Sequence, residues 1–147
     1  MKRFFAIIVA VLCLAAVANA QPKAIGLRAT YGAELSYQHY AGGSNFWEFD
    51  AGLFDNLLDV VAIYDFSIAP VGPFNFYMGP GAFLAIWPGN KHDDHANMQV
   101  GLAGQIGLEY TFDFPLQISL DWRPCFNLMN GFAWAPYGAA LGIRYAF

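Results

Sequence analysis

Apolar side chains recur at every second position in the second half of the chain. One face of residues 116–126 carries Leu116, Ile118, Leu120, Trp122, Pro124 and Phe126, and the other carries Gln117, Ser119, Asp121, Arg123 and Cys125. Successive side chains of a β-strand point to opposite faces of the sheet, whereas a helix groups them at intervals of three and four. The alternation therefore predicts a strand with one apolar and one polar face.

The same alternation divides the chain after residue 20 into eight predicted strands. They span residues 25–31, 33–39, 47–53, 59–68, 74–86, 100–112, 116–126 and 137–147. Gly32 is the predicted turn between the first two strands, with one bent strand as the alternative. Pro80 predicts a bulge or an interrupted ladder in the fifth strand, because proline has no N–H to donate.

The predicted connections alternate in length. Those at residues 41–45, 69–73 and 113–115 are short, and those at 87–97 and 127–136 are longer. An even number of strands puts both chain ends on the same side of a barrel, which is the periplasmic side in bacterial outer-membrane barrels. We therefore expect the longer connections to face outward.

The composition is unusual for a chain without a long apolar run. Hydrophobic residues make up 57% of the sequence and charged residues only 12%, yet no stretch after residue 20 is long enough for a membrane helix. A transmembrane barrel resolves this, because its lipid-facing residues occupy alternate positions. We therefore predict an all-β fold, an eight-stranded antiparallel up-and-down transmembrane β-barrel formed by residues 21–147. The alternative is a soluble sandwich or lipocalin-like barrel, whose outer face would carry too few charges for water.

The first twenty residues have the pattern of a signal peptide. Lys2 and Arg3 give a positive start, residues 4–17 form a short apolar run, and residues 18–20 read Ala-Asn-Ala. This pattern predicts export and cleavage near Ala20, and together with the predicted barrel it predicts a location in the bacterial outer membrane. Lipid attachment at Cys13 is the alternative, but Leu12 occupies a position where a small residue is expected.

Charge and cysteine content exclude several classes of function. Without Lys2 and Arg3, five basic side chains remain against 11 acidic ones, a net charge of −6. Nucleic-acid binding needs a basic face, so a nucleic-acid partner is not expected. Cys125 is the one cysteine left after cleavage, which excludes an internal disulfide framework and a cysteine metal cluster. No cofactor is predicted.

The last eight residues, Ala-Leu-Gly-Ile-Arg-Tyr-Ala-Phe, resemble the C-terminal assembly signal of outer-membrane barrels, carried here by Gly142, Tyr145 and Phe147. Ala140 departs from the usual polar residue. Residues 24–28, 32–39, 104–110 and 120–124 also resemble small bacterial outer-membrane β-barrel proteins of the eight-stranded OmpA/OmpX-like type, common in Bacteroidetes-type bacteria. The resemblance implies outer-membrane lipid and lipopolysaccharide as surroundings and the barrel assembly machinery as a partner during insertion. It implies no catalytic residue.

The polar faces of the predicted strands collect ten ionisable side chains. They are Arg28, Glu34, Glu48, Asp50, Asp59, Asp65, Glu109, Asp121, Arg123 and Arg144. The interior of an eight-stranded barrel is just wide enough to be filled by side chains, and buried charges are tolerated when they are paired. We therefore predict a structural charge network in the lumen. A path for ions or small solutes, biased toward cations by the acid excess, is the alternative.

Other polar residues give weaker indications of chemistry. His92 and His95 lie in the predicted loop Lys-His-Asp-Asp-His, which is interpreted as a solvated loop with a divalent-metal site as the alternative. Lipid A-modifying barrels would need a base beside a nucleophile, but His39 is near a predicted periplasmic turn and the other two histidines have no close serine. We predict a non-enzymatic envelope protein with a structural or loop-mediated interaction role. The alternatives are a narrow cation-leaning pore and a lipid A modifying enzyme.

Overall fold

The computed structural model describes residues 23–54, 57–87, 97–129, 133–135 and 138–147. The strand segments of this part are β1 (Lys23–Ala29), β2 (Ala33–Tyr40), β3 (Phe46–Phe54), β4 (Leu57–Val71), β5 (Phe74–Trp87), β6 (Asn97–Thr111), β7 (Leu116–Trp122), β8 (Cys125–Asn127), β9 (Ala133–Ala135) and β10 (Ala139–Ala146). The predicted signal peptide, residues 1–20, and the loop with His92 and His95 lie outside the described residues. In the described part, no helix has the length and hydropathy needed to cross a membrane.

The strands form one antiparallel sheet that closes on itself. Neighbours follow the order β5, β4, β3, β2, β1, β10, β7, β6, and β5 also pairs with β6 from Phe74↔Tyr110 to Trp87↔Asn97. Both β7 and β8 pair with β6, and β9 pairs with β8 as β10 pairs with β7. The segments β7 and β8 are therefore two parts of one interrupted barrel strand, and β9 and β10 are two parts of the next strand. The predicted all-β, eight-stranded antiparallel barrel is confirmed.

The interruption between β7 and β8 falls at Pro124, which was predicted to lie within one continuous strand at residues 116–126. Proline has no N–H for the ladder, and here its carbonyl accepts a hydrogen bond from the Gly104 N–H at 2.9 Å. The preceding Arg123 N–H donates to the Gly138 carbonyl at 3.2 Å. The chain thus keeps its course along the neighbouring strands while the regular pairing is broken.

Pro80 interrupts one ladder, as predicted. Between β4 and β5 the register passes from Ile63↔Gly81 to Phe66↔Met78 without a pair between them, while the ladder from β5 to β6 is continuous. The bulge lies elsewhere, between Ser67 and Ala69 of β4. Beyond it β4 continues to Val71, so the predicted connection at residues 69–73 is wrong. Only Gly72 and Pro73 form the turn, with Gly72 at a φ of 59°.

Both ends of the described chain meet at one end of the barrel. Lys23 and Phe147 exchange two backbone hydrogen bonds of 2.8 Å. We call this the terminal end; it also carries the connections at residues 41–45, 72–73 and 112–115. The opposite, distal end carries the turn around Gly32, where β1 and β2 pair up to Ala29↔Ala33. The hairpin is therefore correct and the bent-strand alternative is wrong.

The predicted alternation appears as two chemically different surfaces. Leu120 on the outside is 63% exposed, whereas its neighbour Ser119 in the lumen is 1% exposed. Among the described residues, buried side chains are mainly polar or charged, and the large exposed ones are mainly apolar. This is the opposite of a soluble barrel with an apolar interior, and it makes the polar lumen the candidate functional site.

Candidate functional site

Arg28 joins three strands at the distal side of the lumen centre. Its Nη1 donates to Glu34 Oε2 at 2.6 Å, and its Nε donates to Asp121 Oδ1 at 3.1 Å. A second, shorter bond joins Arg28 Nη2 to the same Asp121 oxygen, and the Gly138 carbonyl accepts a bond of 3.2 Å. The planar guanidinium suits this arrangement because it presents several donors in fixed directions.

Arg123 crosses the lumen to a second group of carboxylates. Its Nη2 donates to Glu48 Oε1 at 3.1 Å and, over a shorter distance, to Asp50. Its Nε donates to Gln105 Oε1 at 2.9 Å. Its Nη1 lies 3.6 Å from Glu34 Oε2, too far for a hydrogen bond but close enough for an ion pair. One arginine therefore balances carboxylates on both β2 and β3.

Arg144 holds the centre of the lumen from β10. Its Nη2 lies 3.2 Å from Glu48 Oε2, and its Nε and Nη1 donate to the hydroxyls of Ser36 and Ser119 at 2.9 and 2.7 Å. Gly142 makes room for this arrangement. An added Cβ there would meet the Ser119 hydroxyl and the Arg144 guanidinium.

Two glutamines extend the centre of the network. Gln38 Nε2 donates to Glu48 Oε2 at 2.8 Å, and Gln105 Nε2 donates to Glu48 Oε1 and to Asp65 Oδ2, both at 3.1 Å. Glu48 thus accepts hydrogen bonds from three side chains and is fully buried. A carboxylate with this many donors is well compensated for the loss of water.

A more neutral group of side chains fills the lumen toward the terminal end. Glu109 Oε1 accepts from Asn75 Nδ2 at 2.8 Å and from Tyr40 Oη at 3.2 Å. The Tyr40 hydroxyl also accepts from Gln117 Nε2 at 3.1 Å. The ring of Phe46 packs between the rings of Tyr40 and Tyr77, at centroid distances of 5.3 and 5.2 Å.

The ten predicted lumen charges thus occupy three kinds of environment. Seven join in ion pairs and form what we call the central network: Arg28, Glu34, Glu48, Asp50, Asp121, Arg123 and Arg144. Asp65 reaches them through Gln105, and Glu109 is held separately by Asn75 and Tyr40. Asp59 lies apart, half-buried near the distal end.

The neutral partners of these charges were not among the residues predicted to form the lumen network. The alternation had placed Ser36, Gln38, Gln105, Gln117 and Ser119 on the polar faces, so that pattern was sufficient to find them. Phe46 was missed for another reason. The third predicted strand began one residue later, and an apolar ring gives no indication of a polar lumen.

Toward the distal end the lumen holds a cavity of about 540 Å³. Phe54, Val61, Phe83 and Trp87 are among its apolar lining residues. Arg28, Glu34, Asp59 and Arg123 are the charged residues that border it. Within the described residues, side chains thus fill the lumen from its centre toward the terminal end, and the cavity lies on their distal side.

The other residues considered from the sequence are His39, the alternative metal site and the predicted assembly signal. His39 Nδ1 lies 3.3 Å from the Tyr37 hydroxyl, near the terminal end. Within the described ranges, no three His, Cys, Asp or Glu side chains are grouped so as to hold a metal ion. Of the predicted assembly signal, Gly142 faces the lumen, while the exposed rings of Tyr145 and Phe147 stack with centroids 5.8 Å apart.

A scan against protein-family models finds no match, and a search of curated proteins finds none either. Among solved structures, the crystal structure of the N-terminal β-barrel domain of Pseudomonas aeruginosa OprF is similar to this chain. The TM-score is 0.60 at 15% sequence identity, over 86% of this chain and 96% of that chain. At this identity the similarity shows a common fold. The chain has the fold of an outer-membrane barrel domain, with eight antiparallel strands closed into a barrel.

Proposed function

We propose that this chain is a non-enzymatic outer-membrane protein with a structural or loop-mediated interaction role in the cell envelope. The observation that carries the proposal is the combination of a lumen filled by ion-paired side chains with an apolar exterior. A filled lumen removes the water path that a porin needs. The barrel would then act as a stable structure that spans the membrane, or its distal connections would interact with partners.

The exterior supports membrane insertion in two ways. Its exposed apolar side chains include Leu27, Leu53, Val60, Ile68, Met78, Leu102, Leu108, Leu120, Leu141 and Ile143. Around the terminal end there is an aromatic belt made of Trp47, Phe49, Tyr64, Phe66, Phe74, Tyr110, Phe112, Phe114, Tyr145 and Phe147. Transmembrane barrels combine such an apolar band with aromatic girdles at the interfaces.

The proposal includes a route to the membrane. Residues 1–20 would direct export and be removed near Ala20. Tyr145 and Phe147, with Gly142, would be recognised by the barrel assembly machinery, and outer-membrane lipid and lipopolysaccharide would then surround the barrel. Fractionation of cells, with mass measurement of the purified chain, tests export and cleavage together; a chain retaining residues 1–20 in the inner membrane contradicts both.

The envelope role predicts a defect when the protein is removed. A deletion strain is expected to become more sensitive to detergents and large antibiotics, and the wild-type gene should restore resistance. A variant with the turn at residues 30–32 rebuilt, but with the lumen intact, separates a structural role from a loop-mediated one. Restoration by this variant favours the structural role, and failure despite normal insertion favours the loops. Unchanged resistance in the deletion strain would contradict an envelope role.

The filled lumen predicts negligible conductance of the wild-type protein in planar bilayers. Residues from Arg28 at the distal side to Tyr40 at the terminal side occupy the interior in consecutive hydrogen-bonded groups, so ions find no continuous water column. The measurement is single-channel recording after insertion has been verified by heat-dependent gel mobility. Large, stable, ohmic steps in the unmutated protein would overturn the proposal.

A narrow cation-leaning pore is the second candidate, and the lumen charges favour it over an anion path. Seven described lumen carboxylates face three arginines, and Asp50 Oδ1, Asp65 Oδ1 and Glu109 Oε2 are buried without a hydrogen-bond partner in the described part. These oxygens lie from the centre toward the terminal end, where a cation would pass. Small cation-selective steps in the wild-type protein would support this candidate.

The non-enzymatic part of the proposal is tested on lipid A. Lipid A-modifying activity would change acylation, so mass spectrometry of lipid A from the deletion and parent strains compares the two cases. We expect identical spectra. A missing or additional acyl chain that is restored by the wild-type gene would contradict the proposal and make the enzyme the leading interpretation.

The proposed orientation predicts which positions react from outside the cell. In a Cys125→Ala background, Tyr31→Cys at the distal end should react with an impermeant thiol reagent on whole cells, because Tyr31 is 81% exposed there. Asp113→Cys at the terminal end should react only after the cells are opened. The reverse pattern would show that the termini face outward.

A further inference from the structure

The distal cavity has the size and lining of a small-molecule site. Its volume of about 540 Å³ lies within the range of roughly 300 to 1,000 Å³ typical of ligand pockets. Such pockets are mostly apolar with a few polar groups that fix the orientation of the ligand. Phe54, Phe83 and Trp87 supply aromatic surface here, and Asp59 stands on the same wall, paired in register with Ala85.

Asp59 differs from the other lumen carboxylates. Glu34, Glu48, Asp50, Asp65, Glu109 and Asp121 each accept a hydrogen bond from an arginine, an amide or a hydroxyl side chain. No side chain of the described residues donates to Asp59, and none of the ion pairs within 4.0 Å in that part of the chain includes it. A half-buried carboxylate of this kind gains most from a positively charged partner.

The two arginines beside the cavity do not supply that partner. The hydrogen bonds of Arg28 go to Glu34, Asp121 and a backbone carbonyl, and those of Arg123 go to Glu48, Asp50 and Gln105. The charged residues that border the cavity balance as two arginines against two carboxylates, so the carboxylate of Asp59, which none of the described ion pairs includes, is the group that favours a cation there.

A second observation marks the cavity floor as a place for a ligand. Arg123 borders the cavity and is only 3% exposed, and its Nη1 has no hydrogen-bond partner among the described residues. A buried donor of this kind is normally bonded. It could donate to the π face of an aromatic ring of a ligand whose positive group lies at Asp59.

The walls select an organic cation over a bare metal ion. A metal ion needs several oxygen or nitrogen ligands around it, and no group of three His, Cys, Asp or Glu forms such a set in the described part of the chain. Aromatic rings attract ammonium groups through their faces and bury an attached apolar body.

We propose that the distal cavity is a binding site for a small amphipathic amine, whose ammonium group pairs with Asp59 and whose apolar body packs against Phe54, Phe83 and Trp87. The ligand enters from the distal end, opposite the termini. The central network forms the floor and prevents passage to the terminal end, so the site binds its ligand without transporting it.

Cys125 provides a direct measure of occupancy because it lines the same cavity. The full chain carrying Cys13→Ser is inserted into phosphatidylcholine vesicles and treated with methyl methanethiosulfonate, a small neutral reagent. The rate of Cys125 modification is measured with increasing tryptamine and, in parallel, with indole-3-propionate, which has the same ring and the opposite charge. We expect tryptamine to slow the reaction several-fold with half-protection below about 1 mM, and indole-3-propionate to have no effect there.

Two variants and one matched control make the test specific. Asp59→Asn should raise the tryptamine concentration for half-protection at least about tenfold, the effect of losing one charged hydrogen bond. Asp113→Asn makes the same change at the terminal end and should leave protection unchanged. Ala85→Trp fills the cavity and should remove protection, which keeps the test decisive if the Asp59 variant fails to fold. Equal protection by both indoles, no protection by tryptamine, or unchanged protection in folded Asp59→Asn would each overturn the proposal.

Discussion

Arg123→Ala should lower the free energy of unfolding of the barrel by about 3 to 5 kcal/mol, the typical cost of removing one partner from a buried ionic network. Arg123 is the side chain that brings Glu48 and Asp50 together with Gln105 in the lumen, and it also lies 3.6 Å from Glu34. Without it, neighbouring carboxylates repel one another in a space largely closed to water. Entry of water into the space left by the guanidinium would reduce the loss toward the lower value.

Urea unfolding in lipid vesicles measures this loss, and planar bilayers show whether the variant also admits a cation-selective leak. Arg123→Ala combined with Asp50→Asn should be more stable than Arg123→Ala alone, because the neutral amide removes one uncompensated charge. Asp113→Ala, in an exposed connection, is the control and should change stability by no more than about 0.5 kcal/mol. An equally small change in Arg123→Ala would show that the central network does not hold the barrel together.

The assignment of side chains to the lumen or the outer face could be predicted from the sequence because it depends only on the alternation of side chains along each strand. Each strand alternates, and a shift of one residue would move every charge of that strand onto the apolar outer face. Arg28, Arg123 and Arg144 therefore had only one acceptable side. The hydrogen-bond partners of each arginine could not be predicted from this alternation. Arg28 bonds with Asp121 across 93 positions in the chain, a pairing that depends on closure and on the stagger between strands.

The errors in the predicted strands have the same physical origin. A proline weakens the ladder wherever it removes a donor, but the sequence alone does not tell whether the chain bulges, breaks or continues. Pro124 separates β7 from β8, Pro80 interrupts the ladder to β4 alone, and Pro70 lies within a strand that continues to Val71. Neighbouring strands decide among these outcomes, since they supply or omit the remaining hydrogen bonds.

The separate position of Asp59 also depended on three dimensions. Alternation placed it in the lumen with nine other ionisable residues and suggested one common network. Asp59 borders the distal cavity, and none of the ion pairs among the described residues includes it. A count of charges on a face gives their number, while the level of each along the barrel axis determines which of them meet.

Leu120→Arg should cost about 2 to 4 kcal/mol of stability in lipid, the loss expected for a charged side chain near the bilayer midplane on the outer face of a barrel. Leu120 is 63% exposed, and its partners in the neighbouring strands are Leu108 and Leu141, both exposed as well. An arginine at this position would lie in a continuous apolar band. In a soluble barrel the same change would place a charge in water at almost no cost.

The stability of Leu120→Arg therefore tests whether the outer face of the barrel lies in lipid or in water. Phe114→Arg introduces the same side chain at the terminal end, where the cost should fall to about 0 to 1 kcal/mol near the interface. Ser119→Arg points the charge into the lumen, where it would meet Arg144, whose Nη1 donates to the Ser119 hydroxyl at 2.7 Å. Its destabilisation should therefore persist in detergent as well as in vesicles. Leu120→Arg should be destabilising in vesicles because its charge would lie in the apolar band of the outer face. Equal stability of wild type and Leu120→Arg in vesicles would mean that this surface does not face lipid.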